Sequence, residues 1–208
     1  MSRQTAIGRR AVRRVNLSRR ALGTLAALAL TALLIVLIAS EVNHAVSKLG
    51  LPLTNADVIR TQGALKRLDP ALIAAVIYAE TKFNPRASSA GAEGLMQILP
   101  ETAYFIAHRS GGSRFTASDL ATPSINVAYG SYYLRYLLDH YDGQEMLAVA
   151  AYNGGLANVD HWVAQARAKG GRLTIAAIPF PETRAYVERV LNAQRDYRAV
   201  YARQLGLE

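Results

Sequence analysis

DPALIAAVIYAETKFNPRASSAGAEGLMQ, residues 69–97, is the stretch whose reading decides the fold. Asp69 suits a helix cap, and Pro70 suits the first helical position, where its missing N–H costs nothing. Ala71 to Ala79 contain only Ala, Leu, Ile, Val and Tyr. A helix apolar on all sides is buried. Pro85 biases Asn84 away from helix, so Glu80 falls in the last turn or so. Burial disfavours its charged form, and so does the negative end of the helix dipole. Val76 and Ile77 stand one turn earlier, so no base lies there, although Lys82 and Arg86 follow. A carboxyl kept protonated near neutrality is what a general acid needs. The bland alternative has Glu80 solvated and idle where the helix surfaces. Gly91 and Gly94 then permit a loop that folds back and brings Met96 or Gln97 beside Glu80.

Working outward, Thr54 or Asn55 caps a helix over about 56–67, with Val58, Ile59, Leu65 and Leu68 inward. Pro100 opens PETAYFIAHR, which Gly111-Gly112 end before a polar loop over 111–121. Thr122-Pro123 begins a helix with Val127, Gly130, Leu134, Leu137, Leu138 and Tyr141 at helical spacing. Glycine inside a helix costs about 1 kcal/mol relative to Ala. Gly130 therefore predicts a close contact with another helix. Tyr129, Tyr132, Tyr133 and Tyr136 read as core and rim. Gln144 to Tyr152 is a short apolar helix stopped by Asn153-Gly154-Gly155, which leaves the Tyr152 phenol at a helix end. A helix over about 156–169 turns Val159, Trp162 and Val163 inward. The last, about 181–204, follows Pro179-Phe180-Pro181 and puts Val187, Val190, Leu191 and Tyr197 on one face. Leu173 to Ile178 is the one short strand-like run. The fold class is all-α.

The net charge of +9 is a property of one end. Residues 1–20 hold seven Arg and no acid, so the rest carries 17 basic against 15 acidic residues, or +2. Such a tail is not a nucleic-acid-binding face. Residues 21–39, ALGTLAALALTALLIVLIA, are uncharged and as a helix span about 28 Å, close to the hydrocarbon thickness. The positive-inside rule keeps the Arg-rich side cytoplasmic and puts the remainder outside. A cleaved signal peptide is the rival, but its apolar region would be shorter, and Ala39-Ser40 is a poor cleavage site. The expected organisation is a cytoplasmic tail (1–20), a single-pass signal anchor (21–39), a linker (40–55) and a catalytic domain (56–208) outside the inner membrane.

No cysteine is present, so disulfides and Cys-based metal sites are excluded. His44, His108, His140 and His161 are scattered, with no HExxH, EF-hand, Walker A or GxGxxG pattern. Ser88-Ser89 lacks the GxSxG setting of a nucleophile. No metal or cofactor is expected.

ETKFNP followed by SSAGAEGLMQILPETA, then AYNGG (151–155) and PFPETRAYV (179–187), resembles the motif series of the Slt-type, family 1 lytic transglycosylases. The resemblance covers roughly residues 56–200 and implies a lysozyme-like helical domain. It differs in having Thr81 after the motif glutamate, where the family usually has Ser, and in one residue fewer between NP and GLMQ. It implies peptidoglycan glycan strands as substrate and Glu80 as the one acid/base. Ser88 or Ser89, Met96, Gln97, Tyr152, Asn153 and Tyr186 would line the cleft. Gln97 and a serine would bond the sugar, Tyr152 would orient Glu80 or the N-acetyl group, and Tyr186 would close the far wall. Glu93, Glu101, Asp119 and Asp142 read as surface, turn or cap residues. A lysozyme-like muramidase, should an acid lie across the cleft, and an inactive glycan-binding envelope scaffold remain the alternatives.

Overall fold

Cap, proline and apolar run do locally what their chemistry dictates. In the computed structural model, which describes residues 28–36, 38, 50–112 and 114–208, the central helix runs Pro70–Thr81. The Asp69 carboxylate accepts from the Ala71 amide at 3.0 Å. Ala71 to Ile77 are all buried. The helix ends before Pro85 requires it, because Lys82 and Phe83 both take left-handed backbone (φ 51° and 62°).

Six further α-helices are formed by the described residues of the unit Ser47–Glu208. They are α1 (Ala56–Lys66), then, after the central helix α2, α3 (Pro100–Ser110), α4 (Pro123–His140), α5 (Glu145–Gly154), α6 (Leu156–Ala168) and α7 (Pro181–Leu205). Short 3-10 turns occupy Ala117–Ala121 and Ile175–Ala177. No strand forms among the described residues, only an isolated antiparallel bridge between Glu93 and Ile98. Helix α7 lies along α2 and is tied to its cap, since Gln194 and Arg198 both donate to Asp69 Oδ2 at 2.7 and 3.0 Å. The apolar α5 contributes Leu147 to Ala151 to the same core.

Several local expectations are corrected. Asn55 begins α1 in left-handed backbone with no side-chain cap. Ile59 and Gly63 face inward, while Leu65 is 68% exposed. The reason is Gly63: a Cβ there would lie 2.8 Å from the Pro70 ring, so the bare glycine sets which face of α1 meets α2. The partner of Gly130 is not a helix but the Met96 side chain, which a Cβ would overlap. Leu173 to Ile178 hold a 3-10 turn at Ile175–Ala177 rather than a strand, and the 111–121 loop holds another, whose Leu120 is fully buried. Leu51, near the end of the expected linker, is buried.

The unit Met1–Val46 is described only at residues 28–36 and 38, which are helical with strongly exposed apolar side chains, Leu28 to Ile38. No helix among the described residues is long and apolar enough to cross a membrane. Most of the expected anchor's first half (21–27), residues 37 and 39, the tail 1–20 and linker residues 40–49 lie outside the described residues.

Candidate active site

Glu80 stands one residue before the end of α2, half-buried. Tyr186 in α7 donates its hydroxyl to Glu80 Oε1 at 2.7 Å. Desolvation pushes the Glu80 pKa from 4.5 up to about 7, against the Tyr186 hydrogen bond and the charge of Arg189, while the charge of Glu182 adds to the rise. With Oε1 occupied by a donor, the acid proton belongs on Oε2. Burial, with Glu80 beside them, drives the Tyr152 and Tyr186 phenols well above their ordinary range, so both remain donors.

The loop after α2 is built to return. Gly91 and Gly94 have φ of 77° and 74°, and a Cβ on Gly94 would overlap the Asn126 amide. Fully buried Asn126 accepts from the Met96 amide at 2.8 Å and donates to the carbonyls of Glu93 and Leu120 at 2.8 and 3.0 Å. Thr81 keeps the expected hydroxyl and uses it inside, donating toward Ile77 O and Leu95 O. These bonds fix the loop against the end of α2.

The expected site residues take distinct places. Tyr152 donates to the Met96 carbonyl at 2.9 Å rather than to Glu80. Tyr186 is the direct hydrogen-bond partner of Glu80 and only 2% exposed. Met96 has no exposed surface; its side chain fills the space beside Gly130, so it frames the site instead of lining it. Half-buried Gln97 donates from Nε2 to Arg86 O at 2.6 Å and Gly94 O at 2.9 Å, which leaves Oε1 as its free acceptor. Ser88 closes its turn, accepting from the Ala92 amide at 3.0 Å, and Ser89 is exposed. Exposed Asn153 accepts from buried Thr183 at 2.8 Å.

Glu182 and Arg189 went unrecognised in the sequence. They stand at −4 and +3 from Tyr186, so one face of α7 carries all three, a spacing that could have found them. Of the acids considered earlier, Glu93 lies in the bridge to Ile98, Asp119 accepts from the Thr116 amide, and Asp142 sits in a left-handed turn. Glu101 lines an open groove of about 270 Å³ with Thr102, Phe105, Tyr133, Tyr136 and Leu156. That groove adjoins the site through the Tyr133 ring, 5.6 Å from that of Tyr152. No cluster of metal-ligating side chains occurs among the described residues.

An all-helical domain with one desolvated glutamate ending its central helix defines a lysozyme-like architecture. The 70-kDa soluble lytic transglycosylase of Escherichia coli has a similar structure, with a TM-score of 0.70 and 29% identity over 77% of this chain and 26% of that one. The 70-kDa soluble lytic transglycosylase in complex with bulgecin A gives 0.68 and 30%, over 74% and 25%. In sequence, the soluble lytic murein transglycosylase of E. coli is 32% identical over 71% of this chain and 23% of its own length. Membrane-bound lytic murein transglycosylase C of Glaesserella parasuis is 30% identical over 69% and 45%. The model of the transglycosylase SLT domain matches residues 57–175, and the chain belongs to that family. It spans only about a quarter of the soluble relatives' length.

Proposed function

We propose that this chain is a membrane-anchored lytic transglycosylase that cleaves the β-1,4 bond between N-acetylmuramic acid and N-acetylglucosamine in peptidoglycan. The observation that carries the reading is Glu80 itself: a carboxyl with a pKa of about 7, one oxygen held by Tyr186 and the other free to carry the proton. Glu80 protonates the bridging oxygen, the glycosidic C–O bond breaks, and the muramoyl N-acetyl group stabilises the cation. Glu80, now a carboxylate, takes the proton from the muramoyl C6 hydroxyl, whose oxygen closes a 1,6-anhydro ring. One proton leaves Glu80 and one returns, and no water is consumed. A residue that acts first as acid and then as base works best with a pKa near the operating pH. The aromatic groove with Glu101 and Thr102 has the mixed apolar and polar lining that suits sugar rings. Ser88, Ser89, Gln97 and Asn153 supply polar atoms at the rim.

A hydrolytic reading retains one supporting feature, Glu182, whose charge reaches Glu80. For the anchor, the support is the uncharged run 21–39 and its exposed apolar helical residues, together with a relative named as membrane-bound. The catalytic domain is then extracytoplasmic, tethered to the inner membrane by a single pass. The test is digestion of peptidoglycan by the detergent-solubilised full chain, with mass spectra of the released muropeptides. Products one water lighter than hydrolytic ones, lost with Glu80→Gln by about 10²–10⁴-fold, support the transglycosylase. Reducing-end products shift the reading to a muramidase, and glycan binding without products shifts it to a scaffold.

A further inference from the structure

Leu51 to Leu53 run across the far end of α7 and are held there by two phenols. Tyr197 donates to the Pro52 carbonyl at 2.6 Å, and Tyr201 donates to the Leu51 carbonyl at 2.7 Å. Helix α7 departs from helical backbone at Tyr201 (φ −124°), the residue that reaches Leu51. The two rings stack at 5.8 Å. Leu51 is buried, and Leu53 packs on the core.

Tyr197 faces two ways. Its ring is fully buried, with Tyr78 edge-on at 6.1 Å and Phe83 tilted at 6.0 Å. Those two residues bracket Glu80 in sequence, Tyr78 on the last turns of α2 and Phe83 just beyond it. Phe83 holds a φ of +62°, which a bulky side chain adopts only when its surroundings enforce it. Phe83 is 8% exposed, and its ring lies against that of Tyr197. That left-handed pair, Lys82 and Phe83, ends α2 where Glu80 meets Tyr186.

We infer that Leu51–Leu53 form a positioning strap for the active site: by bonding Tyr197 they seat Phe83 and so fix the end of the helix that carries Glu80. Tyr197 is a positioning residue and touches no substrate. The inference rests on Glu80 being the acid/base. It also makes the segment that leads in from the N-terminal unit part of the catalytic support.

The test uses the full chain in detergent. Tyr197→Phe removes the hydroxyl and keeps the ring. Hydrogen exchange followed by mass spectrometry should show faster exchange in peptides covering 79–86, where the Lys82 and Asn84 amides close the turn onto Tyr78 O and Thr81 O. In muropeptide release, kcat should fall about tenfold, what the loss of one hydrogen bond corresponds to, at unchanged KM. Loosening confined to residues 50–53 and the end of α7, or faster exchange at 79–86 with unchanged kcat, would overturn the inference. Should Tyr197→Phe fail to fold, Phe83→Leu breaks the same link from the other side and is expected to give the same pair of changes. If the unsubstituted chain releases no anhydro products, the proposed activity fails, while the exchange measurement still decides whether the strap sets the end of α2.

Discussion

The sign of each charge around Glu80 is fixed by geometry at the residue scale. Tyr186 donates to the carboxylate and favours its ionised form, as does the positive charge of Arg189, whose guanidinium lies 5.9 Å from the Tyr186 ring centre. Glu182 opposes both. A residue that must begin as an acid loses activity as pH rises through its pKa, so under the proposed mechanism the alkaline limb of kcat/KM reports Glu80. Tyr186→Phe should move that limb upward by about 1–2 pH units, since a hydrogen bond to a charged group is worth roughly 1.5–3 kcal/mol. Arg189→Gln should move it the same way, and Glu182→Gln the opposite way. A pH–rate series on the three variants checks all three signs. An unmoved limb in Tyr186→Phe would assign the limb to another group. The place of Glu80 at the end of a buried helix was legible because an apolar run and a proline define that end. The hydroxyl on Oε1 was not, because α7 lies 106 residues on and only packing brings it there.

Among the elements, α2 was read almost whole, and the return loop was read in part. Asp69, Pro70 and nine apolar residues act through neighbours in sequence, which is why the start and burial of α2 followed from composition. The loop's shape depends on Asn126, 30 residues after Met96, and no local pattern announces that bond. Gly130 carried half the message: it required a close neighbour, and the neighbour is the loop's Met96 side chain instead of a helix. Asn126→Ala leaves the Met96 amide and the Leu120 carbonyl without this partner in a buried place, while the Glu93 carbonyl keeps the Ile98 amide. Each unsatisfied buried group costs about 1–3 kcal/mol, so for two groups a loss of roughly 2–6 kcal/mol is expected by urea unfolding. Gly130→Ala should cost about 1–3 kcal/mol by overpacking against Met96. Both substitutions act on the segment that positions Gln97 and accepts the Tyr152 hydrogen bond, so activity should fall with stability. If unfolding midpoints drop while muropeptide release stays at the wild-type rate, the loop is only scaffold.

Over the whole molecule, the sequence pattern separated a basic, apolar N-terminal end from a nearly neutral helical remainder, because charge and hydropathy change abruptly along the chain. It gave no sign of the tie at Leu51 and Pro52, which is made by tyrosine hydroxyls almost 150 residues away. The raised acid has a cost that the whole fold bears. Below pH 4.5 Glu80 is protonated in both the folded and unfolded states and adds no pH dependence. Between 4.5 and about 7 the unfolded chain releases the proton while the folded one keeps it. The folded state then binds more protons, and stability falls as pH rises, by about 1.4 kcal/mol per pH unit. Across that window the loss reaches about 3 kcal/mol, and above the folded pKa it stays constant. Glu80→Gln carries no such proton, so its stability should lack this slope. Taking the difference between wild type and Glu80→Gln in urea unfolding of the full chain at pH 4.5 and again at pH 8 cancels the titrating groups the two share. The expected result is a variant that gains about 3 kcal/mol relative to wild type between the two pH values, while losing its activity at both. Equal slopes would mean that Glu80 is solvated in the folded protein, which returns it to the idle residue at a helix end.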